Sequence, residues 1–339
     1  MSPLLSTKFL RFGTCAGVLK IMAAMTVGPT VTLNDKTTHP IVGYGTYKVG
    51  FIPASASAAV AGTAPADEAV SAADCVKQAL EVGYRFLDCA EFYNNEEEVG
   101  KAIAASGVPR SDLYLASKVW TTTIYNGPDA VQAQLEKTLC DLGVDYLDLY
   151  CIHWPVPGKH VAAYKQLEAA QRAGLVRSIG LSNYAVEDFK ELMESATVTP
   201  AINQIEINPF LYRRNTIDFF RAQGVTLQSY RALRDGKAFE DPTVVQIAAK
   251  HTRTPAQVLG RWCVQHGIIY IPKSVKAARM RENMQVLDWT LDEGDMTKLD
   301  GLTTPAALEA YRALYTKCVV RDTPDAGRTE LVRTELTVG

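Results

Sequence analysis

The feature that most constrains this chain is the regular alternation, after residue 35, of short β-rich runs with longer amphipathic runs. Strand-like runs occur at residues 41–45, 85–88, 113–118, 146–153, 176–181, 201–205, 225–229 and 268–271. Apolar residues recur at helical spacing at 67–81, 128–142, 160–173, 186–193, 215–222 and 255–265, with Asn215 as an expected N-cap. Strands that are mostly followed by helices predict an α/β fold, a (β/α)8 TIM barrel.

A doubly wound parallel sheet is the alternative arrangement for such an alternation. Its phosphate-binding fingerprint is missing, because the nearest candidate, residues 43–48, has Lys48 where the third glycine should stand. Gly45 and Gly50 have the outer spacing of a Walker loop, but Phe51 replaces the lysine of that motif. The sequence therefore favours the barrel.

The composition excludes several classes of function. The net charge of -2 provides no basic field for a nucleic acid, and no run approaches the roughly 18 apolar residues of a membrane-spanning helix. The seven cysteines are widely spaced without a Cys-x-x-Cys, which indicates a reducing compartment, and no zinc-binding His-Glu-x-x-His occurs. We expect a cytoplasmic monomer with no metal, no membrane partner and no nucleic-acid partner.

Two segments depart from the alternating pattern. The first 34 residues contain no Asp or Glu, which is typical of an organelle transit peptide or a weak secretory signal. The alternative is an upstream start, with Met22 or Met25 as the real first residue. We predict an N-terminal extension at 1–27 and a single barrel domain at 28–339. Residues 49–66 are mostly small and uncharged, which predicts a flexible loop, either a flap beside the substrate entrance or a surface decoration.

Polar side chains collect at the carboxyl ends of the predicted strands, where barrel enzymes carry their catalytic residues. The second strand ends at Asp88, the third at Lys118 and the fourth at His153, and Tyr93 lies in the loop beyond Asp88. Taken singly, these are ordinary candidates for a structural ion pair, a core histidine and a surface tyrosine. Because buried polar groups cost free energy unless they are partnered, their convergence on one rim indicates a catalytic centre.

These four side chains suit the reduction of a carbonyl group. Hydride delivery leaves an alkoxide that needs a proton, and we expect Tyr93 to donate it. The Lys118 ammonium would lower the pKa of the phenol from its usual value near ~10. Asp88 would hold this ammonium in place, and His153 would orient the substrate oxygen by a hydrogen bond.

The same residues carry a resemblance to a known family. The run at 83–96, Gly-Tyr-Arg-Phe-Leu-Asp-Cys-Ala-Glu-Phe-Tyr-Asn-Asn-Glu, resembles the first signature of the aldo-keto reductases, and Asp88 and Tyr93 match its catalytic pair. Residues 117–120 and 151–155 resemble the family's catalytic lysine and histidine segments. The resemblance implies a barrel with a short N-terminal hairpin and a C-terminal substrate loop, which uses NADPH to reduce aldehydes or ketones to alcohols.

The resemblance also implies a cofactor site along the later strands. Ser182, Asn183 and Gln204 would hold the carboxamide of nicotinamide, and Tyr230 would stack on its ring. Residues 271–283 resemble the adenosine-phosphate signature. The implied ligands in this signature are Lys273, Ser274, Arg279, Glu282 and Asn283.

The basic residues of this signature bear on the choice of cofactor. Lys273, Lys276 and Arg279 recur every third residue. A cluster of cations favours the 2′-phosphate of NADPH, and Lys276 stands where many family members have a small polar residue. A solvated basic helix start is the alternative interpretation.

The substrate pocket implied by the resemblance is aromatic. Tyr47, Trp120 and Trp154 would line it together with His153, which favours an apolar or aromatic carbonyl compound. Packing of one or more of these rings in the core is the alternative.

The chain departs from the family after Tyr230. There a Ser-Pro-Leu-Gly loop usually covers the pyrophosphate, whereas residues 231–237 read Arg-Ala-Leu-Arg-Asp-Gly-Lys. We hypothesise that Arg231 or Arg234 contacts the pyrophosphate, with a solvent-facing role as the alternative.

Two other functions fit such a barrel. One is a cofactor-binding regulatory subunit that turns over slowly, which the complete set of four catalytic residues disfavours. The other is a dehydrogenase that oxidises alcohols with NAD, which the basic cluster near Arg279 disfavours.

Overall fold

The computed structural model describes residues 28–50, 71–333 and 336–337, and it begins with an antiparallel hairpin. The hairpin consists of β1 (Thr30–Thr32) and β2 (Thr38–Pro40). Leu33 in its turn and His39 in β2 are buried with Phe86 and Tyr114, which lie at the starts of two barrel strands. The hairpin therefore packs against the amino-terminal end of the barrel.

Eight parallel strands form the sheet that follows, in an order that repeats their order along the chain. They are β3 (Tyr44–Gly45), β4 (Phe86–Asp88), β5 (Tyr114–Val119), β6 (Leu147–Ile152), β7 (Val176–Ser182), β8 (Ile202–Glu206), β9 (Thr226–Tyr230) and β10 (Ile269–Tyr270). Each corresponds to one predicted strand, with ends that differ by a few residues.

The sheet closes between its first and last strands. Val42 forms a parallel bridge with Tyr270, and the amide of Gly43 donates to the Tyr270 carbonyl at 2.9 Å. Gly43 is needed at this seam, because a Cβ atom there would lie 2.1 Å from the Phe86 ring. Together with the helices between the strands, this closure gives the (β/α)8 barrel that the alternating pattern predicts.

Helices lie between the strands and after the last one. Their bounds are α1 (Ala72–Val82), α2 (Glu96–Ser106), α3 (Thr121–Asn126), α4 (Pro128–Leu142), α5 (His160–Arg172), α6 (Val186–Met193), α7 (Arg214–Ala222), α8 (Pro242–His251), α9 (Pro255–Gln265), α10 (Ala277–Met284), α11 (Glu293–Asp300) and α12 (Pro305–Cys318). None of these helices is long and apolar enough to cross a membrane.

Helix α4 illustrates why these segments become helices. Pro128 occupies its first turn, where the missing N–H costs nothing, and Gly143 ends it in the left-handed conformation. Val131 and Leu135 lie on its buried face, as the helical spacing predicts.

One predicted helix start is wrong. Helix α7 begins at Arg214 with Arg213 at the N-cap, so Asn215 lies inside the first turn instead of capping it. The buried guanidinium of Arg213, which lies 4.0 Å from the Tyr311 ring centroid and near the Glu206 carbonyl, is part of the packing that sets where the helix begins. Tertiary contacts here override the capping preference of asparagine.

Several predictions fall on residues outside the described ranges. These are the N-terminal extension at 1–27, the helical residues 67–70 and all of the 49–66 insert except Val49 and Gly50. The division into an extension and one barrel domain stays a prediction.

Candidate active site

The strand ends bring three of the four predicted catalytic residues into direct contact. Lys118 Nζ donates to Asp88 Oδ1 at 2.8 Å, to the Cys89 carbonyl at 2.8 Å and to the Tyr93 hydroxyl at 3.3 Å. An ammonium has three hydrogens, and all three are used here. Because Lys118 can only donate, the Tyr93 oxygen must accept, which leaves the phenol hydrogen free for another acceptor.

Burial sets the protonation states of this group. Desolvation by itself would lower the pKa of Lys118, but the Asp88 carboxylate beside it raises that pKa above its ordinary value, so the ammonium stays charged. Burial raises the pKa of Tyr93 above 10, and the Lys118 charge opposes this increase without cancelling it. The expectation of a net lowering is therefore wrong. Tyr93 is therefore a neutral phenol, which can release its proton only to a strong base.

His153 lies beyond the end of β6, against the same cluster. Its ring meets the Tyr93 ring edge-on, with centroids 5.9 Å apart, and meets the Trp120 ring at 4.9 Å. Burial, followed by the Lys118 charge, holds the pKa of His153 well below its usual range, so the imidazole is neutral. Nδ1 has no hydrogen-bond partner among the described residues. A neutral ring of this kind can donate one N–H to a substrate oxygen.

The residues predicted to hold the nicotinamide lie together at the ends of β7, β8 and β9. Ser182 Oγ donates to the Gln204 carbonyl at 3.0 Å, and Asn183 Nδ2 donates to the His153 carbonyl at 3.0 Å. The Tyr230 hydroxyl donates to Asn183 Oδ1 at 2.6 Å. These bonds link the predicted carboxamide site directly to the backbone of His153, the predicted catalytic histidine.

The residues predicted to hold the adenosine phosphate form a separate group after β10. Lys273, Lys276 and Arg279 are exposed, whereas Ser274 and Asn283 are buried. The three cations make no ion pair with a carboxylate of the described residues. Their charges thus remain available to an anionic ligand.

The predicted aromatic wall divides into an accessible ring and two packed rings. Tyr47 is half-buried, and its ring lies 5.1 Å from the Tyr93 ring. Trp120 is only 6% exposed, stacks on Phe92 at 4.0 Å and donates through Nε1 to Asp322. Trp154 is also 6% exposed and meets the Tyr315 ring of α12. The segment after residue 304 therefore covers both tryptophans, as expected for a C-terminal substrate loop.

The basic loop after β9 has its own partners. Arg231 donates to Glu206 Oε2 at 3.2 Å and to Asp235 Oδ2 at 3.1 Å, and Arg234 lies over the Phe210 ring. The hypothesis that one of these arginines contacts a pyrophosphate stays a prediction. For Arg231, such a contact requires an anion to share a guanidinium that two carboxylates already hold.

Sequence reasoning missed two buried polar residues that connect to this site. Gln228 Oε1 accepts from Gln204 Nε2 at 2.9 Å, and Gln228 Nε2 lies 2.7 Å from His39 Nε2. The sequence could have predicted the contact between Gln204 and Gln228, because both are polar residues inside two consecutive apolar runs. They are neighbours in the β8–β9 register.

Comparison with known sequences agrees with this geometry. The model of the "Aldo/keto reductase family" matches residues 56–304. An aldo-keto reductase of Mycolicibacterium smegmatis is 40% identical over 280 residues, which are 82% of this chain and 94% of that protein. A glyoxal reductase of Bacillus subtilis is 37% identical over 273 residues, covering 80% of this chain and 92% of its own length.

Solved structures with the same fold are also similar in sequence. An aldo/keto reductase from Brucella melitensis has a TM-score of 0.71 at 36% identity and covers 81% of this chain and 99% of its own. A Bombyx mori aldo-keto reductase, solved in complex with NADP, has a TM-score of 0.72 at 29% identity and covers 81% of this chain and 92% of its own.

Proposed function

Because the chain belongs to the aldo-keto reductase family and is an oxidoreductase, we propose that it reduces aldehydes or ketones to alcohols with NADPH. The observation that carries this proposal is the Lys118 ammonium, which is 1% exposed and shared between the Asp88 carboxylate and the Tyr93 hydroxyl. A tyrosine hydroxyl paired in this way with a buried ammonium can donate one proton to an oxyanion in a site that excludes water. The reduction of a carbonyl requires that step.

Each of the four predicted catalytic residues has a separate role in the proposed reduction. The bound NADPH supplies the hydride. His153 donates an N–H to the carbonyl oxygen and polarises it, while Tyr93 gives its proton to the oxygen as negative charge develops there. The Lys118 ammonium stabilises the phenolate that remains, and Asp88 keeps the ammonium charged and in position.

Two groups of residues fit the cofactor. At one end, Ser182, Asn183 and Gln204 would hold the carboxamide, and Tyr230 would stack on the nicotinamide ring. At the other end, exposed cations suit a phosphate dianion. The proposed ligands at that end are Lys273, Ser274, Arg279, Glu282 and Asn283.

The substrate class follows from the surroundings of Tyr93. Its ring lies 5.1 Å from the ring of Tyr47, which stacks on Phe92, and Phe92 stacks in turn on Trp120. These neighbouring rings suit an apolar or aromatic carbonyl compound. The similarity to a glyoxal reductase adds small dicarbonyl compounds as a second class to test.

The decisive experiment compares wild type with Tyr93→Phe on a panel of aromatic aldehydes, aliphatic aldehydes and glyoxal, by following the loss of NADPH absorbance. We expect kcat to fall by about 10²–10⁴-fold in the variant, with an unchanged Kd for NADPH from fluorescence titration, because the hydroxyl acts only on the transferred proton. Equal turnover by both proteins would remove Tyr93 as the acid. Binding of NADPH without turnover by wild type would favour a regulatory subunit instead.

A further inference from the structure

A continuous line of buried hydrogen bonds runs inside the barrel from the catalytic centre to the N-terminal hairpin. Gln204 Nε2 donates to Asp88 Oδ1 at 2.8 Å and to Gln228 Oε1 at 2.9 Å. Gln228 Nε2 then lies 2.7 Å from His39 Nε2. We call these four residues, Asp88, Gln204, Gln228 and His39, the axial column. None of them is more than 3% exposed, so water cannot replace their hydrogen bonds.

The lower end of the axial column fixes its direction. His39 Nδ1 lies 2.7 Å from the Pro40 carbonyl, which can only accept, so Nδ1 carries the proton and Nε2 accepts. Gln228 must therefore present its NH₂ group to His39 and its oxygen to Gln204. Burial lowers the pKa of His39 to about 3, so the ring stays neutral and Nε2 remains an acceptor.

The upper end of the column then has only one arrangement. Both hydrogens of the Gln204 amide are used, one by Asp88 and the other by Gln228. A single hydrogen bond to Asp88 would act as a pivot, whereas two bonds fix the plane of the amide. Gln204 Oε1 accepts no hydrogen bond from the described residues, so the fixed amide leaves one oriented acceptor on the residue that is the register partner of Ser182.

We propose that His39 is a positioning residue, which acts through Gln228 to hold the Gln204 amide with Oε1 ready to accept the carboxamide N–H of the nicotinamide. This inference rests on the proposed function and deepens it. It assigns part of cofactor recognition to the hairpin at the opposite end of the barrel. It also explains why a glutamine is buried inside the barrel and a histidine at its amino-terminal end, where apolar side chains usually fill the space.

The test uses NADP⁺ and its 3-acetylpyridine analogue, in which a methyl group replaces the carboxamide NH₂. Fluorescence titration gives the Kd of each, and their ratio reports whether an acceptor faces that NH₂. We expect wild type to bind the analogue about 5- to 10-fold more weakly than NADP⁺, the usual effect of one hydrogen bond. In His39→Leu, Gln228 loses its anchor, the Gln204 amide swings about Asp88, and the ratio should approach one.

Two controls separate positioning from loss of stability. Leu33→Ala weakens the same apolar cluster at the foot of the barrel without touching the axial column, so it should lower the free energy of unfolding and keep the wild-type ratio. His39→Gln offers an oxygen acceptor near the same place and should also keep the ratio. Urea denaturation checks that each variant is folded. If His39→Leu does not fold, Gln228→Met breaks the column one link higher and is expected to lower the ratio likewise.

The outcomes distinguish this inference from the function on which it rests. An unchanged ratio in folded His39→Leu or Gln228→Met, or an equal loss of the ratio in Leu33→Ala, overturns the role of His39 while leaving the reductase intact. Wild type that binds neither dinucleotide overturns the proposed function and this inference with it. A loss of the ratio confined to the column variants, with His39→Gln unaffected, supports it.

Discussion

The two ends of the proposed cofactor site differ in how they hold positive charge. At the catalytic end, Lys118 is 1% exposed, and each of its hydrogens has a protein partner. At the adenosine-phosphate end, Lys273, Lys276 and Arg279 are exposed and form no ion pair with a described carboxylate. Charge at the first end is buried and fully paired within the fold, where we propose that it serves catalysis. At the second end Lys276 and Arg279 lie in solvent, whereas partial burial lowers the pKa of Lys273. The two exposed charges cost the fold little and could bind an anion.

The same substitution at both ends tests this contrast. Lys118→Met leaves the buried Asp88 carboxylate without its cation, so the free energy of unfolding should fall by about 3–5 kcal/mol, together with a loss of turnover. Lys276→Met should change stability by no more than about 0.5 kcal/mol, because its ammonium lies in solvent. Urea denaturation of both variants measures the two values.

A double variant tests whether the loss of stability in Lys118→Met comes from the unpaired Asp88 carboxylate. Asp88→Asn combined with Lys118→Met removes both charges and should recover much of the lost stability without recovering activity. If Lys118→Met proves as stable as Lys276→Met, the catalytic pair contributes nothing to the fold and the contrast fails.

Burial also changes the pKa of a carboxyl group that is hydrogen-bonded to the strand that carries Lys118. Glu96, at the start of α2, accepts hydrogen bonds from Ser117 Oγ at 2.5 Å and Thr138 Oγ1 at 2.9 Å. Burial nevertheless raises the pKa of its carboxyl from 4.5 to about 7. Between these values the folded protein holds a proton that the unfolded chain releases. The free energy of unfolding should therefore decline by about 3 kcal/mol as pH rises through that window.

Substitution isolates this contribution. Glu96→Gln has no proton to lose, so the fall in stability between pH 4.5 and pH 7 should be smaller by about that amount in the variant. Glu97→Gln is the matched control, because Glu97 lies on the same turn but is exposed and paired with Lys101. Unfolding curves at several pH values give the slopes. Wild type and Glu96→Gln with parallel slopes would contradict the assigned pKa.

The contrast between the two ends also explains what could be read from the sequence. Buried parallel strands are nearly continuous apolar runs, so their ends are visible and so are the polar residues, such as Asp88 and Lys118, that follow them. The depth of burial is not visible. The direction of the Tyr93 pKa was therefore predicted wrongly, because the loss of solvation outweighs the Lys118 charge.

Contacts between residues far apart in the chain are the other feature that the sequence does not predict. The contact between His39 and Gln228 joins residues 189 positions apart and depends on how the hairpin meets the barrel, which no local pattern reveals. Asn215 shows the same limit on a smaller scale, since its capping preference yields to packing around Arg213. Exposed groups such as Arg279 are the reverse case. Their proposed partners are ligands, so the sequence resemblance predicts their role, whereas the described residues give Arg279 no ion pair.

The smallest effect is expected at the exposed end, where one solvated cation is removed. Arg279→Ala should raise the KM for NADPH by about 10- to 100-fold, the usual value of a hydrogen bond to a charged group, and leave the KM for NADH nearly unchanged. Its stability should match wild type, unlike that of Lys118→Met. Added salt should weaken NADPH binding in wild type more than in the variant, because a solvent-exposed charge pair is screened. An equal rise in KM for both cofactors would mean that Arg279 does not contact the 2′-phosphate, and the cations at this end would then be an ordinary solvated helix start.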